Sequence, residues 1–144
     1  MTRDHARTRR AFARPAYLFV RVAPEGFVVL DEVRDELTGR IVKSHLVRKL
    51  FDDCVLACWS KDGVTAQGDR ACEECRHPRC QAGLRIHLRD GPVVYVLDLA
   101  VSAAKDCLDL LDAIASEDQT PEDVPLRLNV LDRGKWGLVR FKRR

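Results

Sequence analysis

Four cysteines near the middle of the chain constrain its fold more than any other feature of the sequence. Cys72 and Cys75 form a C-x2-C pair, Cys80 follows closely, and Cys58 lies upstream. The segment 61–82 is rich in Gly, Asp, Arg and Cys and has no hydrophobic period, so a hydrophobic core cannot hold it. A C-x2-C turn presents two thiolates to one ion at about 2.3 Å, and structural zinc takes four ligands. The pattern therefore predicts a zinc-stabilised loop.

The preferred ligands of this loop, which spans residues 58–80, are all thiolates: Cys58, Cys72, Cys75 and Cys80. Cys54 and His77 are the alternative ligands; Cys54 lies nearer the middle of an apolar run and is assigned to the core. Four thiolates leave no open coordination position, and the His-x-Glu of zinc deaminases is absent. We therefore expect a structural zinc ion in a protein that is not an enzyme.

The cellular setting follows from cysteine usage and hydropathy. The chain has 144 residues and six cysteines, and no apolar run approaches the roughly 20 residues of a membrane span. The N-terminus lacks the apolar segment of a secretory signal. These features predict one cytoplasmic domain with no membrane partner, in which reduced cysteines bind metal rather than form disulfides. A redox dithiol at Cys72 and Cys75 is disfavoured, since no thioredoxin-like context surrounds the pair.

The pattern of apolar residues and turns predicts a mainly β fold. The predicted elements are strands at 16–23, 26–33, 53–60, 84–89, 93–99, 125–131 and 135–141, a short helix within 40–51, and a main helix over 103–115 capped by Ser102. From residue 53 onward this order is that of an OB-fold, a five-stranded Greek-key barrel with a helix between strands three and four. The 16–33 hairpin would extend the barrel edge. A small α+β sandwich is the alternative fold.

Positive charge is concentrated at both ends of the chain, although the net charge is only +3. Residues 1–15 form a basic arm that precedes the single domain, 16–144. The last ten residues carry no acid, whereas acidic residues concentrate in 31–36 and 106–123. Cationic termini are typical of polyanion binding, and the alternative is that both ends are solvated tails.

Several side chains would lie where OB-folds bind single strands, which they do with a cationic groove and aromatic faces for base stacking. Trp59 and Trp136 are the candidate stacking residues, and Tyr95 is either a third or a core residue. The strand 84–89 alternates cleanly, which turns its polar side chains to one side. The complete candidate set for nucleic-acid binding is Trp59, Arg85, His87, Arg89, Tyr95, Arg127, Lys135, Trp136 and Arg140.

The run Cys58-Trp59-Ser60-Lys61-Asp62-Gly63 resembles the C-x-S-x-D-G opening of zinc-containing single-stranded DNA-binding proteins of phages and mobile elements. In that family a C-x2-C and a further cysteine follow, matched here by Cys72, Cys75 and Cys80. The segment Leu97-Asp98-Leu99-Ala100-Val101-Ser102 fits the family's L-x-L-x-x-S form before a helix. The resemblance covers about residues 58–141. One departure is the basic end, Phe141-Lys142-Arg143-Arg144, where bacterial single-strand binders often have an acidic tail.

The resemblance implies a zinc-containing OB-like protein that coats single-stranded DNA during replication, recombination or transfer of a phage or mobile element. Further expected partners are replication or recombination proteins and a second copy of the chain. The alternative function is a zinc-stabilised protein-interaction subunit of a nucleoprotein complex, such as a CRISPR-type effector. In that case the exposed aromatic residues would be buried against another protein.

Overall fold

The computed structural model describes the backbone of residues 15–52, 55–60 and 80–144, and the side chains of residues 15–48 and 81–144. Within these ranges the strands are β1 (Ala16–Ala23), β2 (Gly26–Val29), β3 (Glu32–Arg34), β4 (Glu36–Asp52), β5 (Val55–Ser60), β6 (Cys80–Asp90), β7 (Val93–Leu99), β8 (Leu126–Asp132) and β9 (Gly137–Arg143). Helix α1 spans Val101–Ser116, and a 3-10 turn spans Pro121–Asp123. The prediction of a mainly β fold with one main helix is confirmed for the described residues.

All the strands belong to one curled, open sheet in the order β3-β2-β1-β7-β6-β4-β8-β9, with β5 paired to the far end of β4. The described part thus has nine strands where the sequence predicted five in a barrel and two in a hairpin. Neighbours are antiparallel except β1 and β7, which run parallel. The predicted hairpin is a three-stranded unit, because a turn at Leu30 and Asp31 divides residues 26–34 into β2 and β3.

Strand β4 is the central element, and it corrects the prediction of a short helix within residues 40–51. It pairs in turn with β8, β6 and β5 along its length. A register shift between Ile41 and Lys43 interrupts the alternation of apolar residues, which is why the sequence does not read as a strand. Gly39 lies where β4 passes from β8 to β6; its φ is 153°, and a Cβ there would lie 2.5 Å from the carbonyl oxygen of Arg89.

The concave side of the sheet encloses the hydrophobic core. Strands β2, β6, β7 and β8 each contribute side chains with no more than 2% exposure, including Phe27, Ile86, Leu97 and Leu128. Helix α1 adds its own apolar stripe to this cluster. Because successive side chains of a strand point to opposite sides, the residues between the core positions of β6 and β8 face the other, outer side of the sheet, whereas β7 is buried on both sides, with Val94 and Val96 only 2% and 5% exposed.

Helix α1 agrees with the predicted helix in position but differs at its start. It begins directly after β7, so Ala100 rather than Ser102 is the N-cap residue, and Ala100 makes no side-chain cap. Ala103, Cys107 and Ile114 are buried, as one stripe, whereas Leu108 is 47% exposed. Burial raises the pKa of the Cys107 thiol to about 12, which keeps it protonated. Cys107 is therefore a core residue of the helix.

Candidate functional site

The predicted nucleic-acid residues fall on two neighbouring parts of the outer surface. Strand β6 carries Arg85, His87 and Arg89 at alternating positions, while β8, β9 and the turn between them carry the others: Arg127, Lys135, Trp136 and Arg140. Strand β4 pairs with both β6 and β8, so it joins the two parts. The fold therefore brings most of the predicted set onto one side of a continuous sheet.

A band of basic side chains crosses β6 and the middle of β4. Lys43 lies opposite His87 in the register, and His45 lies opposite Arg85. Arg89, the third basic residue of β6, is exposed and donates from Nε to the carbonyl oxygen of Gly91 at 3.1 Å. We call Lys43, His45, Arg85, His87 and Arg89 the cationic face.

Arg85 is the most constrained member of the cationic face. Its Nε and Nη2 donate to the two carboxylate oxygens of Asp98 on β7, at 2.7 and 3.0 Å. This hydrogen-bonded pair raises the pKa of Arg85, with partial burial acting in the opposite direction. Because Asp98 already accepts both donors, Arg85 contributes less free positive charge to this face than Arg89 or Lys43.

His87 lies at the centre of the cationic face and contacts aromatic rings on both sides. Its ring lies edge-on to Tyr17 of β1, with centroids 6.1 Å apart, and 6.0 Å from the ring of His45. Partial burial lowers the pKa of His87, and the positive charges of Lys43, His45 and Arg85 lower it further. His87 is therefore neutral at pH 7 and forms part of an aromatic row.

The lowered pKa of His87 predicts how the stability of the protein depends on pH. In the unfolded chain the histidine takes up a proton near its ordinary pKa of 6.5, whereas in the folded chain it does so at lower pH. The free energy of unfolding should therefore fall as the pH drops below 6.5, since the unfolded state binds the proton first. NMR titration should place the His87 midpoint below 6.5, and His87→Gln should flatten this part of the pH–stability curve. A midpoint at or above 6.5 would contradict the prediction.

Tyr95, which was one of the predicted binding residues, lies in the core. Its side chain is only 7% exposed, and its hydroxyl accepts a hydrogen bond from Nη1 of Arg34 at 2.7 Å. The Arg34 guanidinium also lies 5.7 Å from the centre of the ring. Tyr95 points inward because it is paired with the core residue Leu88. It is a core residue and offers no face to a base.

The residues on β8 and β9 are more accessible. Trp136, just before β9, is 48% exposed. Arg140 and Lys135 are exposed as well, and Arg127 forms a solvent-accessible ion pair with Glu36 at 3.3 Å. An exposed pair of this kind contributes little to stability, so Arg127 can exchange its partner for another anion.

Two exposed aromatic residues on β1 were missed by the sequence analysis. Tyr17 and Phe19 are 57% and 73% exposed, and with Arg21 they alternate with the more buried Leu18 and Val20. The pairing of β1 with β7 places Phe19 opposite Val96, which in turn lies opposite His87. The alternation was visible in the sequence, but the position of β1 beside β7 was not. Strand β1 therefore extends the row that begins on the cationic face.

A groove opens next to this row. It has a volume of about 1060 Å³. Its walls come from β1, the β2–β3 turn, the end of β7 with the start of α1, and the start of β9, and include Phe19, Arg21, Leu30, Asp98, Val101 and Trp136. Gly137 allows the close approach at one end, since a Cβ there would lie 2.5 Å from the carbonyl oxygen of Ala23. We call this space the β1–β9 groove.

Only part of the predicted metal site falls within the described residues. Cys58 of β5 and Cys80 of β6 both pair with Leu50 of β4, one on each side. Trp59, the neighbour of Cys58, pairs with Lys49. Cys72 and Cys75, and the alternative ligands Cys54 and His77, lie outside the described ranges, as do residues 1–14 of the basic arm.

Comparison with known proteins adds no assignment. No protein-family model, no curated protein and no solved structure matches this chain. Among the described residues, no helix has the length and apolar character needed to cross a membrane.

Proposed function

We propose that this chain is a non-enzymatic single-stranded DNA-binding protein with a zinc-stabilised OB-like fold, acting in replication, recombination or transfer of a phage or mobile element. The observation that carries the proposal is the place of the candidate residues on the sheet. OB-folds bind oligonucleotides on the face of their second and third strands and on the loops after the first and fourth strands. With β4, β6, β7, β8 and β9 taken as the five strands, the cationic face would lie on the first and second strands, the cysteine loop would fall between these two strands, and the turn with Trp136 would join the fourth to the fifth.

The pairing order supports this assignment of strands. If β4, β6, β7, β8 and β9 are the five OB strands, the first strand pairs with the second and fourth, as β4 does with β6 and β8. The second pairs with the third and the fourth with the fifth, as β6 does with β7 and β8 with β9. Helix α1 lies between the third and fourth strands. The sheet differs from an OB-fold at its third strand, β7, because the parallel neighbour of β7 is the additional strand β1.

The register of β4 puts Cys58 and Cys80 at the same level of the sheet, as a zinc ion bound by both residues would require. Both residues flank Leu50, so their Cα atoms are two strand spacings apart, roughly 10 Å. Two cysteines bound to one zinc ion with Zn–S bonds of about 2.3 Å have their Cα atoms closer than this, so the curl of the sheet has to bring Cys58 and Cys80 nearer to each other for both to bind it. Zinc would then tie β5 to β6 across β4 and close the loop 61–79, with Cys72 and Cys75 as the other two ligands.

The proposed mechanism is simple electrostatics and stacking. Arg89 and Lys43, with Arg127, Lys135, Arg140 and the basic ends, would neutralise phosphates, while Trp59 and Trp136 would stack on bases. His87 is neutral at pH 7 and would contribute an aromatic surface rather than charge. Arg85 would act mainly through its pair with Asp98, by holding β6 and β7 in place.

A titration with fluorescein-labelled oligo-dT tests the proposal. Because each phosphate contact releases counterions, we expect the logarithm of the binding constant to fall with the logarithm of salt concentration at a slope of roughly −0.7 per contact on a single strand. Anisotropy of the label measures binding, and a duplex of the same length is the control. Absence of binding by the zinc-loaded protein at low salt would overturn the proposal. Co-purification of a fixed protein partner at high salt, together with that absence, would favour an interaction subunit.

A further inference from the structure

Strand β1 contains an aromatic surface that the OB comparison does not account for. Phe19 has the greatest exposure among the aromatic side chains of the described residues, at 73%, and it lines the same groove as Trp136. It lies one strand beyond Val96, in the register row of His87 and Lys43. A strand of nucleic acid that crossed the sheet along this row would therefore meet Phe19, which lines the β1–β9 groove.

The charges that line the groove differ from those of the cationic face. Among the described lining residues, Arg21 and Arg85 are balanced by Asp31 and Asp98. Most of the remaining wall is apolar, and it includes Phe19, Leu30 and Trp136. A phosphate would gain little in a groove without net charge. An uncharged planar group would gain apolar contact with the rings and would not have to separate the Arg85–Asp98 pair.

We propose that the β1–β9 groove takes an unstacked nucleobase of the bound single strand, which contacts the rings of both Phe19 and Trp136. This inference rests on the proposed function and deepens it, because it assigns phosphates to the cationic face and a base to the groove. Every base has a π face, so stacking of this kind tolerates any base. Strand β1 would then contribute a residue, Phe19, that contacts the nucleic acid.

The test uses two signals from one titration. The chain has two tryptophans, so Trp59→Phe makes Trp136 the only one. Anisotropy of a labelled oligo-dT reports binding anywhere on the protein, and Trp136 fluorescence reports the groove. We expect Trp136 to be quenched at saturation in this background, because a base stacks against its indole.

Phe19→Ala in the same background should weaken oligo-dT binding roughly 5- to 150-fold, the loss expected for one stacked base, and should reduce the quenching of Trp136. Phe19→Tyr keeps a ring and should restore both signals. Leu131→Ala, at another exposed strand position, should change neither. Because Phe19 is exposed, Phe19→Ala should unfold at nearly the same temperature as the parent protein, and the thermal unfolding midpoint of the variant checks that it is folded.

The possible results separate the two proposals. Binding by anisotropy without quenching of Trp136, and with Phe19→Ala behaving like Leu131→Ala, would overturn the groove assignment while leaving DNA binding intact. Absence of any anisotropy change at low salt would overturn both. Concentration-dependent quenching of Trp136 without DNA would place a second copy of the chain in the groove, which would also overturn the assignment.

Discussion

Purified protein should contain one zinc ion per chain, and Cys80→Ser should lose it. The register places Cys80 and Cys58 on either side of Leu50, so removing one thiolate breaks the proposed link between β5 and β6. Structural zinc contributes about 10–16 kcal/mol of apparent binding free energy in zinc-finger peptides, which unfold without it. After dialysis against a chelator, we expect the variant to retain less than about one tenth of the wild-type zinc.

The effect of zinc removal should be local. Amide hydrogen exchange should rise in β5 and in the end of β4 that pairs with it, whereas β8 and β9 should remain protected, because their pairing does not involve the cysteine loop. Cys54→Ser is the matched control and should keep its zinc. His77→Gln tests the alternative ligand: this variant should keep its zinc if Cys80 is the ligand and lose it if His77 is. Zinc-free wild-type protein, or full zinc in Cys80→Ser, would contradict the proposed site.

Reversing two charges on the cationic face should remove most of the affinity for single-stranded DNA. Lys43 and Arg89 are exposed and lie on adjacent strands, and neither is constrained as Arg85 is by Asp98. A hydrogen bond to a charged group contributes about 1.5–3 kcal/mol. Each single variant, Lys43→Glu or Arg89→Glu, should therefore weaken oligo-dT binding roughly 10- to 150-fold at low salt.

The salt dependence provides a second measurement on the same variants. Loss of two phosphate contacts should make the log–log slope shallower by roughly 1.4, since each contributes about 0.7. Lys105→Glu, an exposed residue on α1, changes the net charge by the same amount as each single variant and is the control. If Lys105→Glu weakened binding as much as Arg89→Glu, net charge rather than the cationic face would determine affinity.

Elements with a clear local pattern could be predicted from sequence. Strands β6 and β7 were predicted within a few residues because LRIHLR alternates cleanly and a Gly-Pro turn follows it. Helix α1 was predicted because its apolar residues recur with helical spacing. Strand β4 was not predicted, since the register shift after Ile41 interrupts the alternation of apolar and polar residues along it. The turn at Leu30 and Asp31 was missed because both residues adopt positive φ, 48° and 65°, which usually requires Gly or Asn.

The candidate site was predicted only in part. The alternation in β6 placed Arg85, His87 and Arg89 together on one side of the strand, as the structure has them. It could not show that Asp98 pairs with Arg85, or that the Tyr95 ring packs in the core while its hydroxyl accepts a hydrogen bond from Arg34. Tyr17 and Phe19 were missed because the N-terminal hairpin had no assigned neighbour. Each of these outcomes depends on which strands lie side by side.

The sequence by itself determined the mainly β class of the fold, the position of the main helix, the spacing of the cysteines and the side of strand β6 on which polar residues lie. These properties follow from local periodicity and residue type, which act over a few neighbouring residues. Only the tertiary structure decided that β4 joins β8, β6 and β5, that β1 lies parallel to β7, and that Phe19 and Trp136 share a groove. Backbone hydrogen bonds between strands are the same for every residue except proline, so the choice of partners depends on how the whole sheet buries its core.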